Sequence, residues 1–132
     1  MKNYKFVLID DDAISNRLCK LNMRIYNKDI EVVDFTSPEE GLRYLSSQIR
    51  EDHSSFVLLL DINMPTMSGW EFLASFEKIV ESIEFRIIIY MLSSSVDPRD
   101  QERAYSYKSV QGYLEKPLKL ENLVAIGDSL PG

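Results

Sequence analysis

Residues 56–61 read Phe-Val-Leu-Leu-Leu-Asp, and Ile62-Asn63-Met64-Pro65 follow directly. A short apolar run that ends in a carboxylate and is then followed by proline predicts a buried strand that delivers Asp61 to the edge of a sheet. The run Lys5-Phe6-Val7-Leu8-Ile9 repeats this pattern and leads into Asp10-Asp11-Asp12. Because neighbouring parallel strands bring their C-terminal ends together, we expect these carboxylates to form one acidic site.

The chain outside these two runs alternates between strand-like and helix-like segments. Further strands are predicted at residues 30–35, 85–92 and 112–114. The first helix carries Ile14, Leu18, Leu21 and Ile25 at spacings of four, three and four, which places them on one helical face. Typical helix starts follow at Ser37-Pro38-Glu39-Glu40, Ser68-Gly69-Trp70-Glu71 and Asp97-Pro98, and a last helix ends near Leu130. The repeated strand–helix order predicts an α/β fold with a doubly wound parallel sheet that helices cover on both sides.

The size and charge of the chain restrict its function. We expect residues 1–132 to form a single domain, because that length supports one core. The net charge of −6 argues against nucleic-acid binding, since phosphate contacts need clustered Lys and Arg. No apolar stretch approaches the length of a membrane span, and the N-terminus lacks the apolar region of a signal peptide. Cys19 is the one cysteine, which we interpret as a small buried hydrophobe. These features predict a cytoplasmic protein without membrane contact.

Polar side chains follow four of the predicted strands at their C-terminal ends: Asp10, Asp11, Asp61, Ser93, Ser94 and Lys116. Carboxylate oxygens with few nitrogen ligands suit a hard cation such as Mg²⁺. A lysine and a hydroxyl across from that metal could hold the remaining oxygens of a phosphoryl group. A carboxylate can itself be the nucleophile of phosphoryl transfer, which gives an aspartyl phosphate. Asp12 is a third consecutive acid, and we favour it as the N-cap of the first helix.

Four segments in register resemble the receiver domain of two-component response regulators. They are Phe6-Val-Leu-Ile-Asp-Asp-Asp12, Leu60-Asp-Ile-Asn-Met-Pro-Thr-Met-Ser-Gly69, Leu92-Ser-Ser-Ser95 and Tyr113-Leu-Glu-Lys-Pro117. The resemblance covers nearly the whole chain, and each segment stands at the end of a predicted strand. It implies the flavodoxin-like receiver fold, with five strands in the order 2-1-3-4-5.

The resemblance also implies a role for individual residues. Asp61 matches the phosphoacceptor and a metal ligand, Asp10 and Asp11 match the acidic pair that positions Mg²⁺, and Asn63 matches the residue whose backbone carbonyl binds the metal. Ser93 and Ser94 match the phosphoryl-binding region, Lys116 the lysine that pairs with phosphoryl oxygens, and Tyr113 the aromatic switch. The Lys116–Pro117 bond would be cis. Because Ser93, Ser94 and Ser95 are consecutive, a shift of one residue in this assignment stays open.

The implied function is a phosphoryl-accepting signalling switch and not an enzyme with a substrate of its own. A histidine kinase or a histidine phosphotransfer protein would supply the phosphoryl group. The face formed by the fourth helix, fifth strand and fifth helix would then bind a downstream protein, and a homodimer on that face stays open. A binding module that does not use phosphorylation is the alternative. An aspartyl-nucleophile phosphatase is disfavoured, because its general acid would fall at position 63, which is asparagine.

Overall fold

A computed structural model of the chain describes residues 4–51, 55–80, 87–94 and 97–130. The strands are β1 (Tyr4–Ile9), β2 (Glu31–Phe35), β3 (Ser55–Asp61), β4 (Ile87–Ser93) and β5 (Val110–Glu115). The helices are α1 (Ala13–Tyr26), α2 (Pro38–Glu51), α3 (Gly69–Val80), α4 (Pro98–Tyr105) and α5 (Leu120–Ser129). Each predicted element is present, with bounds that differ by a few residues. Residues 85 and 86 of the predicted fourth strand lie outside the described residues.

The five strands form one parallel sheet in the order β2-β1-β3-β4-β5, which confirms the predicted topology. The strand order reverses direction at β1, because the chain moves from β1 outward to β2 and then returns past β1 to β3. In a doubly wound sheet, such a switch point opens a crevice at the C-terminal strand ends. The fold therefore places the ends of β1 and β3 side by side, where the sequence carries its acids.

Two apolar layers cover the sheet, one on each face. One layer includes Leu58, Phe72 and Phe76 together with the inner sides of α2 and α3. The other includes Leu59, Cys19 and Met23 with the inner sides of α1 and α5. Strands β1, β3 and β4 therefore carry apolar residues on both faces, as a parallel sheet covered by helices requires.

The apolar stripe predicted on the first helix lies on its outer surface. Ile14, Leu18, Leu21 and Ile25 are 70%, 50%, 57% and 63% exposed. The buried side of α1 instead carries Asn16, Cys19 and Met23. Periodicity correctly identified residues that share a face, but that face does not pack on the core. Exposed patches of this kind usually mark binding sites.

Side-chain caps fix the helix starts that border the acidic end of the sheet. Asp12 caps α1, with its Oδ1 accepting from the backbone N–H groups of Ile14 and Ser15 at 2.9 and 3.2 Å. At α3, Ser68 and Glu71 form the predicted capping box, in which each side chain accepts from the other residue's backbone N–H. Asp97 caps α4 by accepting from the Arg99 backbone N–H at 2.9 Å. Over the part of the chain that the structure describes, no helix is long and apolar enough to span a bilayer.

Candidate functional site

Three carboxylates meet where β1 and β3 end. Ile9 pairs with Leu60 in the sheet, so the residues that follow, Asp10 and Asp61, emerge next to each other. Asp10, Asp11 and Asp61 each offer a carboxylate oxygen, and these oxygens lie within 4.8 Å of one another. Asp10 and Asp61 are buried, whereas Asp11 is exposed. The sequence therefore correctly predicted which acids converge.

Lys116 lies against two of these acids. Its Nζ atom is 3.0 Å from Asp10 Oδ2 and 3.4 Å from Asp61 Oδ1. The lysine comes from the far side of the sheet, where it follows β5, and its peptide bond to Pro117 is cis as predicted. Its backbone N–H donates to the Ser93 carbonyl at 2.7 Å, so the ends of β4 and β5 are joined at the site. One ammonium thus offsets part of the charge of the acidic group.

The charges in this site shift its proton equilibria. Burial, followed by the neighbouring charge of Asp10, raises the pKa of Asp61 to about 7, although Lys116 opposes this rise. Burial also lowers the pKa of Lys116, but the hydrogen bond and charge of Asp10 and the charge of Asp61 outweigh it, so that pKa lies above its usual value. Near neutral pH the isolated site therefore favours a charged lysine and holds a proton on Asp61 part of the time.

The other predicted residues border this group to different degrees. Ser93 is fully buried at the end of β4, and Ser94 is exposed just beyond it. Tyr113 is half-buried on β5, in register with Met91 of β4. Asn63 is exposed, and its backbone N–H donates to Asp61 Oδ1 at 3.4 Å. Ser95, the third serine of the run, lies outside the described residues.

Gly69 allows α3 to begin directly beside Asp61. Its backbone N–H donates to the Ile62 carbonyl at 2.8 Å. A Cβ atom at this position would lie 2.7 Å from the Asp61 carbonyl oxygen and 3.0 Å from Ile62 Cα, closer than packed atoms come. Because both neighbours are backbone atoms, a side chain at position 69 would displace either the helix or the strand end that carries Asp61.

Asn16 is a site residue that the sequence did not reveal. It lies on the inner face of α1 and is 1% exposed. Its Nδ2 atom donates to the Asp10 carbonyl oxygen at 3.0 Å and to the Phe35 carbonyl oxygen at 3.4 Å. A signal was present, because Asn16, Cys19 and Met23 are themselves spaced by three and four residues, but the more apolar stripe on the opposite face hid it.

The donor set fits a hard divalent cation. Mg²⁺ prefers oxygen ligands and is usually held by one or two carboxylates together with water and phosphate oxygens. Asp10, Asp11 and Asp61 supply such oxygens from one cluster, and exposed Asp11 leaves that cluster open to solvent. Asp12 has a different task, since its carboxylate caps α1. The cap role predicted for Asp12 is therefore confirmed.

A family model described as the response regulator receiver domain matches residues 6–127. Among known proteins, the two-component response regulators ARR6 and ARR5 of Arabidopsis thaliana are 27% and 30% identical to this chain, and each alignment covers 92% of this chain. The chain spans 66% and 67% of the length of these relatives. A solved two-component response regulator from Cytophaga hutchinsonii is 32% identical, with a TM-score of 0.86 over 95% of this chain and 94% of its own.

Proposed function

This chain belongs to the response regulator receiver domain family, and we propose from that premise that it is a switch whose phosphoacceptor is Asp61. The observation that carries the proposal is the contact of Asp61 with both an acidic cluster and a lysine ammonium. Receiver domains bind Mg²⁺ in an acidic pocket, and we assign its ligands to Asp10, Asp11, Asp61 and the Asn63 backbone carbonyl. Bound there, Mg²⁺ would neutralise charge on the carboxylates and on the incoming phosphoryl oxygens.

The proposed reaction takes a phosphoryl group from a phosphohistidine of a histidine kinase or a phosphotransfer protein. A carboxylate oxygen of Asp61 attacks phosphorus, the P–N bond of the donor breaks, and the imidazole nitrogen keeps the electron pair. Lys116 is assigned to pair with a phosphoryl oxygen, and the distance of 3.4 Å between its Nζ and the attacking carboxylate supports this role. Ser93, at the adjacent strand end, is assigned to bind another phosphoryl oxygen, with Ser94 beside it. Catalysis would consist mainly of positioning and charge neutralisation.

The proposed output surface consists of α4, β5 and α5. Helix α4 has one buried side chain, Ala104, and its Arg103, together with Tyr107 just after the helix, contacts Trp70 of α3. Tyr107 stacks on Trp70 with ring centroids 5.8 Å apart, and the Arg103 guanidinium carbon lies 4.6 Å from the Trp70 ring centroid. Tyr105 is 61% exposed on the same helix. A shift of Ser93 and half-buried Tyr113 towards the phosphoryl group would change this surface, and a downstream protein would select one form.

Acetyl phosphate with Mg²⁺ tests the proposed reaction without a partner protein. We expect the intact mass to increase by one phosphoryl group, and we expect EDTA to prevent that increase. Reduction of the acyl phosphate with borohydride followed by peptide sequencing should locate the modification at Asp61. An adduct on another residue would contradict the assignment. Absence of any adduct, together with no response to beryllofluoride, would favour the alternative of a binding module that does not use phosphorylation.

The exposed stripe on α1 supports a docking site for the phosphodonor. Residues 14, 18, 21 and 25 alternate spacings of four and three, which is the narrow seam by which one helix packs along another. Exposed Arg17 and Arg24 flank this seam and favour an acidic partner helix. The seam begins at Ile14, three residues after Asp11, so a protein that reaches Asp61 would cover it. A second copy of the chain fits less well, because antiparallel pairing would place these arginines against each other.

The double substitution Leu18→Glu/Leu21→Glu should separate docking from chemistry. We expect it to slow phosphotransfer from a phosphorylated phosphotransfer protein about 100-fold, since two lost apolar contacts amount to about 3 kcal/mol of binding. Phosphorylation by acetyl phosphate should be unchanged, because both side chains are at least half exposed. Tyr105→Glu on α4 is the matched control and should leave both rates as they are. If the wild type is a dimer that the double variant disrupts, the seam instead binds a second copy.

A further inference from the structure

Asn16 ties three elements together at the acidic end of the sheet. Its Nδ2 atom reaches from α1 to the Asp10 carbonyl oxygen, just after β1, and to the Phe35 carbonyl oxygen at the end of β2. The Phe35 carbonyl also accepts from the Asp10 backbone N–H at 3.1 Å. One amide group therefore supports the strand connection that holds the Asp10 backbone in place.

The other side of the same amide is unpaired. Asn16 Oδ1 is buried, and it has no hydrogen-bond partner among the described residues. Burying an unpaired polar atom costs about 1–3 kcal/mol. Leucine would occupy a similar volume without that cost, beside the apolar neighbours Cys19 and Met23 on this face. Leucine would, however, also remove the donor of the Asp10 carbonyl. The asparagine thus keeps a contact with a residue of the acidic site at the cost of one buried unpaired oxygen.

Hydrogen bonds engage each polar group of Asp10. Its N–H donates to the Phe35 carbonyl, and its carbonyl accepts from Asn16. Its Oδ1 accepts from the Asp12 N–H at 3.0 Å, and its Oδ2 pairs with Lys116 Nζ at 3.0 Å. Each of these carboxylate oxygens keeps a further lone pair that a metal ion could use. The two backbone contacts are compatible with a bound ion, and Asn16 provides one of them.

We propose that Asn16 is a positioning residue that holds the Asp10 carboxylate in the orientation required to bind Mg²⁺. The inference rests on the proposed Mg²⁺ site of Asp10, Asp11 and Asp61. Without the Asn16 amide, the Asp10 carbonyl loses its donor, and the Asp10 N–H alone joins this point of the chain to Phe35. The carboxylate would then sample more orientations, and ion binding would have to restrict them.

Calorimetric titration of Asn16→Leu with Mg²⁺ tests the inference. We expect the dissociation constant to rise about 10- to 100-fold, as is usual when a residue that orients a metal ligand is removed. Asn22→Leu is the matched control, because Asn22 is a half-buried asparagine on the same helix that also donates an amide hydrogen bond to a backbone carbonyl, that of Leu118 at 2.9 Å. It should bind Mg²⁺ like the wild type. Asn16→Ala provides a second variant if Asn16→Leu does not fold.

Parallel thermal unfolding in EDTA separates positioning from stability. The inference is supported if the Mg²⁺ dissociation constant rises for the Asn16 variants and not for Asn22→Leu. The melting temperatures need only show that each variant is folded at the titration temperature. An unchanged dissociation constant, or an equal change in Asn22→Leu, overturns it while the Mg²⁺ site stands. Failure of the wild type to bind Mg²⁺ overturns the metal site and this inference together, so the two failures are distinguishable.

Discussion

Asp61→Asn is expected to abolish the phosphoryl adduct and, in metal-free buffer at pH 8, to make the folded chain more stable. The first effect follows because an amide has no carboxylate oxygen with which to attack phosphorus. The second follows because the wild-type carboxylate is buried beside Asp10, and both features make its charged form unfavourable. Asn63 and Asp10 remain, so the substitution removes one charge without emptying the site.

The stabilising effect of Asp61→Asn should increase as the pH rises. The Asp61 carboxyl has a pKa of about 7 in the folded chain, against an ordinary value of 3.8. Between these values the folded state holds a proton that the unfolded state has lost, so wild-type stability decreases as the pH rises. The asparagine variant lacks this cost. The free energy of unfolding of the variant should therefore exceed that of the wild type only slightly near pH 4, and by about 2 kcal/mol above pH 7. A pKa shift of this size would allow a difference of at most roughly 4 kcal/mol.

Urea unfolding of both proteins at pH 5, 6, 7 and 8 in EDTA measures the difference. Added Mg²⁺ should stabilise the wild type more than the variant, because the ion replaces the proton on the cluster. If the free energy of unfolding changed with pH in the same way for both proteins, the pKa of Asp61 would not be raised in the folded chain. A persistent adduct on Asp61→Asn would show that another residue accepts the phosphoryl group.

Lys116→Met should slow phosphorylation by acetyl phosphate about 10²- to 10³-fold, the usual loss when a group that stabilises developing negative charge is removed. Lys116 lies within 3.0 and 3.4 Å of the Asp10 and Asp61 carboxylates, so its loss leaves three clustered acids with less compensation. The substitution keeps an unbranched chain of similar length and changes the charge. The rate of adduct formation at saturating Mg²⁺, followed by intact mass, measures the effect.

Lys108→Met is the matched control for this experiment. Lys108 is exposed between α4 and β5, and its replacement changes the net charge of the chain by the same amount. It should be phosphorylated at the wild-type rate. Equal losses in the two variants would mean that overall charge, and not the position of Lys116, controls the reaction. Circular dichroism should first establish that both variants are folded.

The strands were predictable because burial on both faces leaves a clear mark in the sequence. Residues 56–60 are wholly apolar, and the acid that follows them had to emerge at the sheet edge. The meeting of Asp10 with Asp61 followed from parallel pairing at the switch point. Ser93 and Lys116 were expected at the same edge because each follows a predicted strand. Their individual roles, and that of Tyr113, are instead what the family resemblance implies.

The orientation of α1 could not be predicted from its periodicity. Its most apolar face, which includes Leu18 and Leu21, is exposed, while a face with an asparagine is buried. Apolar periodicity measures how residues share a side and does not indicate whether that side meets the sheet or a partner. On the buried face, Asn16 donates hydrogen bonds to two carbonyls at strand ends, and such contacts depend on tertiary geometry that sequence spacing does not contain.

The stack of Arg103, Trp70 and Tyr107 gives the protein a built-in optical probe. Trp70 is the one tryptophan of the chain, so its fluorescence arises from a single place, the junction of α3 and α4. Trp70 is 8% exposed, and both the Arg103 guanidinium and the Tyr107 ring contact its indole. Any movement of α4 away from α3 would admit water to the indole and shift its emission to longer wavelengths. Emission from Trp70 would thus report in real time whether phosphorylation moves this helix, without attaching a dye.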